Sequence, residues 1–272
     1  MGVMGLSPAL RVAVTVFSLA SAAGASSCAP GVEGAPGVER LVPEVVATYP
    51  FDDTSFTQGL EREEAGTLLV GTGWEGESRL YRATLEGEEL ASVDLDPTWF
   101  GEGVTRHDDH IWQLTWQENI AVKRDAATLA EIDRASYPGE GWGICSTGTE
   151  LIMSDGSAQL RRLDPDTFAE LGRFDVTLEG TAQNGLNELE CVGDDVYANV
   201  FLSTDIVRID ARPGDTAGTV TAVIDGAGLP NNARPDPNHV LNGIAHVPDT
   251  DRFLVTGKRW PDLYEVEFVP AG

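Results

Sequence analysis

Five short segments of this chain echo one another, and their spacing restricts the available folds more than any other feature. They are FTQGLE (56–61), FGEGVT (100–105), GEGWGI (139–144), GLNELE (185–190) and VLNGIA (240–245). Each has a polar or aromatic residue, usually then a glycine, then an aliphatic. Aligned on that pattern, the leading residues are Gln58, Glu102, Trp142, Asn187 and Asn242, at successive offsets of 44, 40, 45 and 55. The longest step contains a Pro/Asn-rich insertion, GLPNNARPDPN (228–238).

Behind each echo the same kinds of segment return. A second apolar stretch recurs as TLLVGTG, HIWQLTW, ELIMSDG, DVYANVF and RFLVTGK, and a third as SRLYRA, NIAVKRD, AQLRRLD, DIVRID and DLYEVEF. A fourth, GEELASVDL, LAEIDRASY, AELGRFDV and GTVTAVI, follows the first four echoes. Such alternation marks half-buried strands. The fifth unit ends before its fourth strand, and VPEVVATYP, ahead of the first echo, has the character to fill that place. Repeats of about 45 residues with four strands each predict an all-β fold, a five-bladed β-propeller of four-stranded antiparallel blades closed by the N-terminal strand. Closure removes the exposed sheet edges that an open array would leave.

In a propeller the first strand of every blade lines the central channel, so equivalent positions converge. Gln58, Glu102, Trp142, Asn187 and Asn242 are expected to form a ring. Trp116, Phe201 and Lys258 should reach the same mouth from the ends of second strands, with Phe56 and Phe100 walling the rim. Glu102 is the single acid expected in this ring and Lys258 the single amine, set among amides and aromatics. Channel polar groups can also bond only to each other and to buried water, and for Gln58 and Asn242 both roles stay open.

Residues 1–27 read as an export signal: Arg11, an apolar stretch too short to span a bilayer, then small residues with Ala-x-Ala at 23–25. Cys28 is a candidate for lipidation, although Ala25-Ser26-Ser27 before it lacks the leucine of a good lipobox. Residues 28–42 read as a Gly/Pro tether and 43–269 as the propeller domain. An exported protein is expected, periplasmic or extracellular, without a membrane span and monomeric by default. The formal charge of −26 argues against nucleic acid or anionic membrane surfaces as partners. Cys145 and Cys191 lie in apolar strand-like segments. Their spacing does not demand a bond, and two buried free thiols are expected.

At FTQGL, FGEGVT, QLTW (113–116), YPGEGWG (137–143), MSDGS (153–157), LNELE, YANV (197–200), LNGIA and VTGKRWP (255–261) the sequence resembles the plant and bacterial, papaya-type glutaminyl-peptide cyclotransferases. The motifs run in family order over nearly the whole chain. The resemblance implies a five-bladed propeller that converts N-terminal glutamine of peptides or proteins to pyroglutamate and releases ammonia, with no metal or other cofactor. It implies that Glu102 is the acid/base residue and Lys258 its catalytic partner. Gln58 and Asn187 become polar substrate ligands, and Phe56, Phe100, Trp116 and Trp142 an aromatic cage. After YANV the family usually has Trp where this chain has Phe201, which keeps an aromatic wall and loses an indole N–H.

Other signals are set aside. GTGWEG (71–76) spells a dinucleotide fingerprint but precedes a strand-like segment rather than a helix. HDDH (107–110) is expected in a solvated hairpin and not as a metal site. MSDGS lacks the strand–Ser–helix elbow of a serine nucleophile, and Asp155 within it is left as a possible channel hydrogen-bonder. Two further functions compete with the enzyme: a non-catalytic propeller that binds peptide N-termini, and a metal-dependent propeller hydrolase, which would need several acids or histidines in the ring.

Overall fold

The computed structural model describes residues 37–63 and 65–272; the expected export signal, Cys28 and most of the tether lie outside them. The described chain is all-β and propeller-like. After β1 (Glu39–Pro50), the strands β2 (Thr57–Arg62), β3 (Leu68–Thr72), β4 (Arg79–Ala83) and β5 (Glu89–Asp94) form one sheet in sequence order. A second sheet contains β6 (Gly101–His107), β7 (His110–Thr115), β8 (Ile120–Asp125) and β9 (Glu131–Ser136). A third contains β10 (Ile144–Ser146), β11 (Leu151–Met153), β12 (Gln159–Leu163) and β13 (Glu170–Asp175). Each is antiparallel throughout.

A small hairpin, β14 (Thr177–Leu178) with β15 (Thr181–Ala182), leads to an eight-stranded sheet. Its first half is β16 (Leu186–Val192), β17 (Asp195–Val200), β18 (Asp205–Asp210) and β19 (Val220–Asp225). Its second half is β20 (Leu241–His246), β21 (Arg252–Gly257), β22 (Asp262–Pro270) and β1. β1 pairs antiparallel with β22 from Leu41↔Pro270 to Pro50↔Asp262, and its first residues pair parallel with β19, Glu39↔Ala222 to Leu41↔Ile224. The strand therefore starts at Glu39, inside the stretch expected as tether. Burial follows from this order: β3 and β7 are buried along their length, whereas β5 and β9 are mostly exposed.

The five echoed strands meet in a closed circuit, β2 against β6, β6 against β10, β10 against β16, β16 against β20 and β20 against β2. Glycine permits the close approach. A Cβ on Gly59 would lie 2.5 Å from the Val104 nitrogen, and one on Gly103 would lie 2.8 Å from the Trp142 carbonyl oxygen. In the fourth echo the equivalent residue is Glu188. Its side chain enters the space the glycines leave, accepting from the backbone N–H groups of Leu60 (3.2 Å) and Ile244 (2.9 Å). The gaps between sheets are filled by apolar side chains, as where Trp112 and Leu114 pack on Ile144, Leu151 and Met153.

The cysteine expectation is overturned. Cys145 and Cys191 form a disulfide, with Cα atoms 5.4 Å apart and a sequence separation of 46. The two residues occupy nearly the same place in consecutive repeats, three residues after Trp142 and four after Asn187, so the circuit brings β10 and β16 side by side. A Cys145→Ser/Cys191→Ser variant is expected to lose about 2–4 kcal/mol of stability, read as a lower denaturant midpoint.

Two smaller expectations also change. HDDH does span the β6–β7 hairpin, but His110 is buried and its Nε2 lies 3.0 Å from the Pro165 carbonyl oxygen. Asp155 pairs with Arg161 (2.9 Å) and Ser157 rather than with channel groups.

Candidate active site

Four of the echoed strands share a local irregularity. Strand register shifts between Thr57 and Gly59, Gly101 and Val104, Leu186 and Leu189, and Leu241 and Ile244. Each shift encloses the echoed residue, Gln58, Glu102, Asn187 or Asn242. A bulge re-aims a side chain and ends regular pairing, and here it turns one polar residue per strand inward.

Most of these residues line one cavity of about 310 Å³, together with Phe56, Trp74, Phe100, Trp116, Trp142, Phe201, Asn238 and Lys258. The aromatic lining forms two groups of mostly edge-to-face rings, one of Phe56, Trp74, Phe100 and Trp116 and one of Trp142 and Phe201. Ring centroids are 6.1 Å apart for Phe56 and Phe100, 5.7 Å for Phe100 and Trp116, and 5.2 Å for Trp142 and Phe201.

Glu102 and Lys258 both face this cavity and are both buried. The Lys258 ammonium lies 5.0 Å from the Phe56 ring centroid and 5.3 Å from that of Phe201. Burial lowers its pKa to about 8, with the Glu102 charge opposing. Burial raises the Glu102 carboxyl well above the usual range, Lys258 pulls it down, and Glu140 and Glu118 push it up again. Gln58 donates from Nε2 to Glu102 Oε1 at 3.0 Å.

Asn242 departs from expectation. It sits behind the wall, donating from Nδ2 to the Thr57 carbonyl (2.9 Å) and to Gln58 Oε1 (3.3 Å). It holds the Gln58 amide with its N–H face toward Glu102 and does not line the cavity. Trp74 and Asn238 line it without having been foreseen. Trp74 belongs to no echo: it sits in a turn at φ 97°, packed 5.2 Å from Phe56. Asn238 comes from the insertion before the fifth echo.

The sequence model of the glutamine cyclotransferase family matches residues 13–268. The chain is 34% identical over 230 residues to the glutaminyl-peptide cyclotransferase of Arabidopsis thaliana, covering 84% of this chain and 72% of that one. The chain belongs to the glutamine cyclotransferase family. The crystal structure of Myxococcus xanthus glutaminyl cyclase superposes with a TM-score of 0.80 at 33% identity, over 86% of this chain and all of that one.

This chain carries more buried acid than Glu102 alone. Farther along the channel, Glu190 accepts from the His246 N–H (2.9 Å) and Glu61 from the Thr105 hydroxyl (2.8 Å). These groups join Glu188 in tying one echoed strand to another. Burial raises Glu188 and Glu190 well above the ordinary range and moves Glu61 to about 7.

An acid whose folded pKa is raised binds its proton more tightly in the folded chain, so stability falls as pH rises between the unfolded and folded values. Depressed acids such as Asp210, at about 2, act at lower pH, and Lys258 acts above about 8. Thermal melts should therefore give a lower Tm at pH 8 than at pH 5. An equal or higher Tm at pH 8 would refute that assignment of charge.

Proposed function

We propose that this chain is a glutaminyl-peptide cyclotransferase that closes the N-terminal glutamine of peptides or proteins to pyroglutamate and releases ammonia. The observation carrying this reading is one aromatic-lined cavity that holds Glu102 and Lys258 together with the Gln58 and Asn187 amides. In the reaction, the α-amine attacks the side-chain amide carbon, a C–N bond closes the lactam, and the old C–N bond breaks to free ammonia. Attack requires an unprotonated amine, and with a pKa of about 7.7–8 a fair fraction is ready near neutral pH. Departure requires a proton on the leaving nitrogen.

Glu102 serves both steps, taking the proton shed by the attacking amine and passing it to the departing nitrogen. A carboxyl raised by burial suits a group that must change state within each turnover. Lys258, with Asn187, stabilises the charge developing on the amide oxygen. The rings enclose the flat glutamine side chain and hold amine against carbonyl.

The same reading counts five blades: β2–β5, β6–β9, β10–β13, β16–β19, and β20–β22 completed by β1. The eight-stranded sheet is then two blades joined at their outer edges through β1 and β19. Export to an oxidising compartment is part of the proposal, supported by the Cys145–Cys191 disulfide. Incubating the purified chain with a Gln-initiated dipeptide, with and without a chelator, tests the activity. Ammonia release in both arms is expected. Its absence in both would leave a peptide-binding module, and loss only with chelator would favour a metal-dependent enzyme.

A further inference from the structure

Glu140 lies in the loop between β9 and β10, against two tryptophans that line the cavity. Its Oε2 accepts from the indole Nε1 of Trp116 (2.8 Å) and from that of Trp142 (2.9 Å), while Oε1 accepts from Gln117 Nε2 (3.0 Å). The two tryptophans come from different sheets, Trp116 following β7 and Trp142 preceding β10. One carboxylate thus ties two walls of the cage together. The adjoining backbone supports the same junction, since the Gly141 N–H donates to the Trp116 carbonyl at 3.0 Å.

We infer that Glu140 is a positioning residue for the cyclisation: it fixes the orientation of the Trp116 and Trp142 indoles so that their faces, and not their N–H edges, bound the glutamine side chain. This rests on the cyclotransferase reading. Trp116 is 37 % exposed, so apolar packing alone leaves it room to turn. Bonds to an ionised acceptor are stronger than neutral ones and fix direction. With both indole N–H groups engaged by Glu140, the cage offers flat apolar surface to a neutral, planar side chain. A loose indole would present a donor competing for the substrate carbonyl, which must instead reach Lys258.

Three variants separate positioning from charge. Glu140→Ala frees both indoles and should raise KM for a Gln-initiated dipeptide about tenfold, the scale of losing a hydrogen bond to a charged acceptor. It should reduce kcat less, and weaken the indole bands in near-ultraviolet circular dichroism. Glu140→Gln places a neutral amide oxygen where Oε2 lies, keeping direction with weaker bonds, and should recover most of the KM and of the spectrum lost in Glu140→Ala. Trp116→Phe, which leaves Glu140 intact and removes one donor, should show part of the KM rise, and Glu140→Ala should add less to it than to wild type.

Wild-type KM and spectrum in Glu140→Ala would overturn the inference. So would a Glu140→Gln variant as impaired as Glu140→Ala, because charge rather than direction would then be at work. Should Glu140→Ala fail to fold, the Glu140→Gln and Trp116→Phe results decide alone. The spectra are recorded without substrate. A chain releasing no ammonia would therefore defeat the cyclotransferase reading while the indole clamp was still being measured.

Discussion

Glu102→Gln is expected to lower kcat at least ~10²-fold, the usual scale for removing a general acid–base group, while fold and peptide affinity persist. The substitution is close to isosteric. The amide oxygen can still accept from Gln58, which donates to Glu102 Oε1 at 3.0 Å. It removes a carboxyl whose ionisation is opposed by burial, so the variant should melt no lower than wild type at pH 8. The decisive measurement pairs single-turnover ammonia release with equilibrium binding of a Gln-initiated dipeptide. Retained binding with lost turnover places proton transfer at Glu102. A wild-type rate would move that role to another group, and lost binding would make Glu102 a ligand instead.

The second large effect is expected at Lys258. Lys258→Met keeps an unbranched chain between the Phe56 and Phe201 rings and removes the ammonium. Loss of a charge-stabilising donor in a water-excluded site costs ~10²–10³ in kcat. A pH signature should accompany it. In the wild type, Lys258 loses its proton around its lowered pKa of about 8, so activity should decline above that pH. Lys258→Met should abolish this descending limb. The rise of activity that accompanies Glu102 ionisation should also move to higher pH, because the charge that pulls the Glu102 carboxyl down is gone. If the descending limb survives in the variant, Lys258 does not carry the charge that matters.

The repeat was the most legible part of this chain. A strand that returns at the same place in each unit must occupy an equivalent place in space, and that is why Gln58, Glu102, Trp142 and Asn187 could be gathered from the sequence into one cavity. The same reasoning applies to the cysteines. Cys145 and Cys191 fall at nearly the same point of consecutive repeats, and the contact of β10 with β16 brings them within bonding distance. Trp74 and Asn238 escaped because neither lies on an echoed strand. One sits in a turn and the other in an insertion, and no periodicity predicts where such loops fold back.

The sequence by itself determined the strand order, the set of inward positions and the aromatic, amide and charged groups that share the mouth, because alternation and repetition are properties of the chain alone. Only the tertiary structure decided which way each inward side chain turns. Gln58 and Asn242 hold the same place in their repeats and each is enclosed by a register shift, yet Gln58 lines the cavity while Asn242 donates to the Thr57 carbonyl and to Gln58 behind it. It likewise decided that Glu188 fills the channel left by the glycines and that Glu140 joins two tryptophans from different sheets. Those are contacts between segments far apart in the chain, and close packing around the closed circuit sets them.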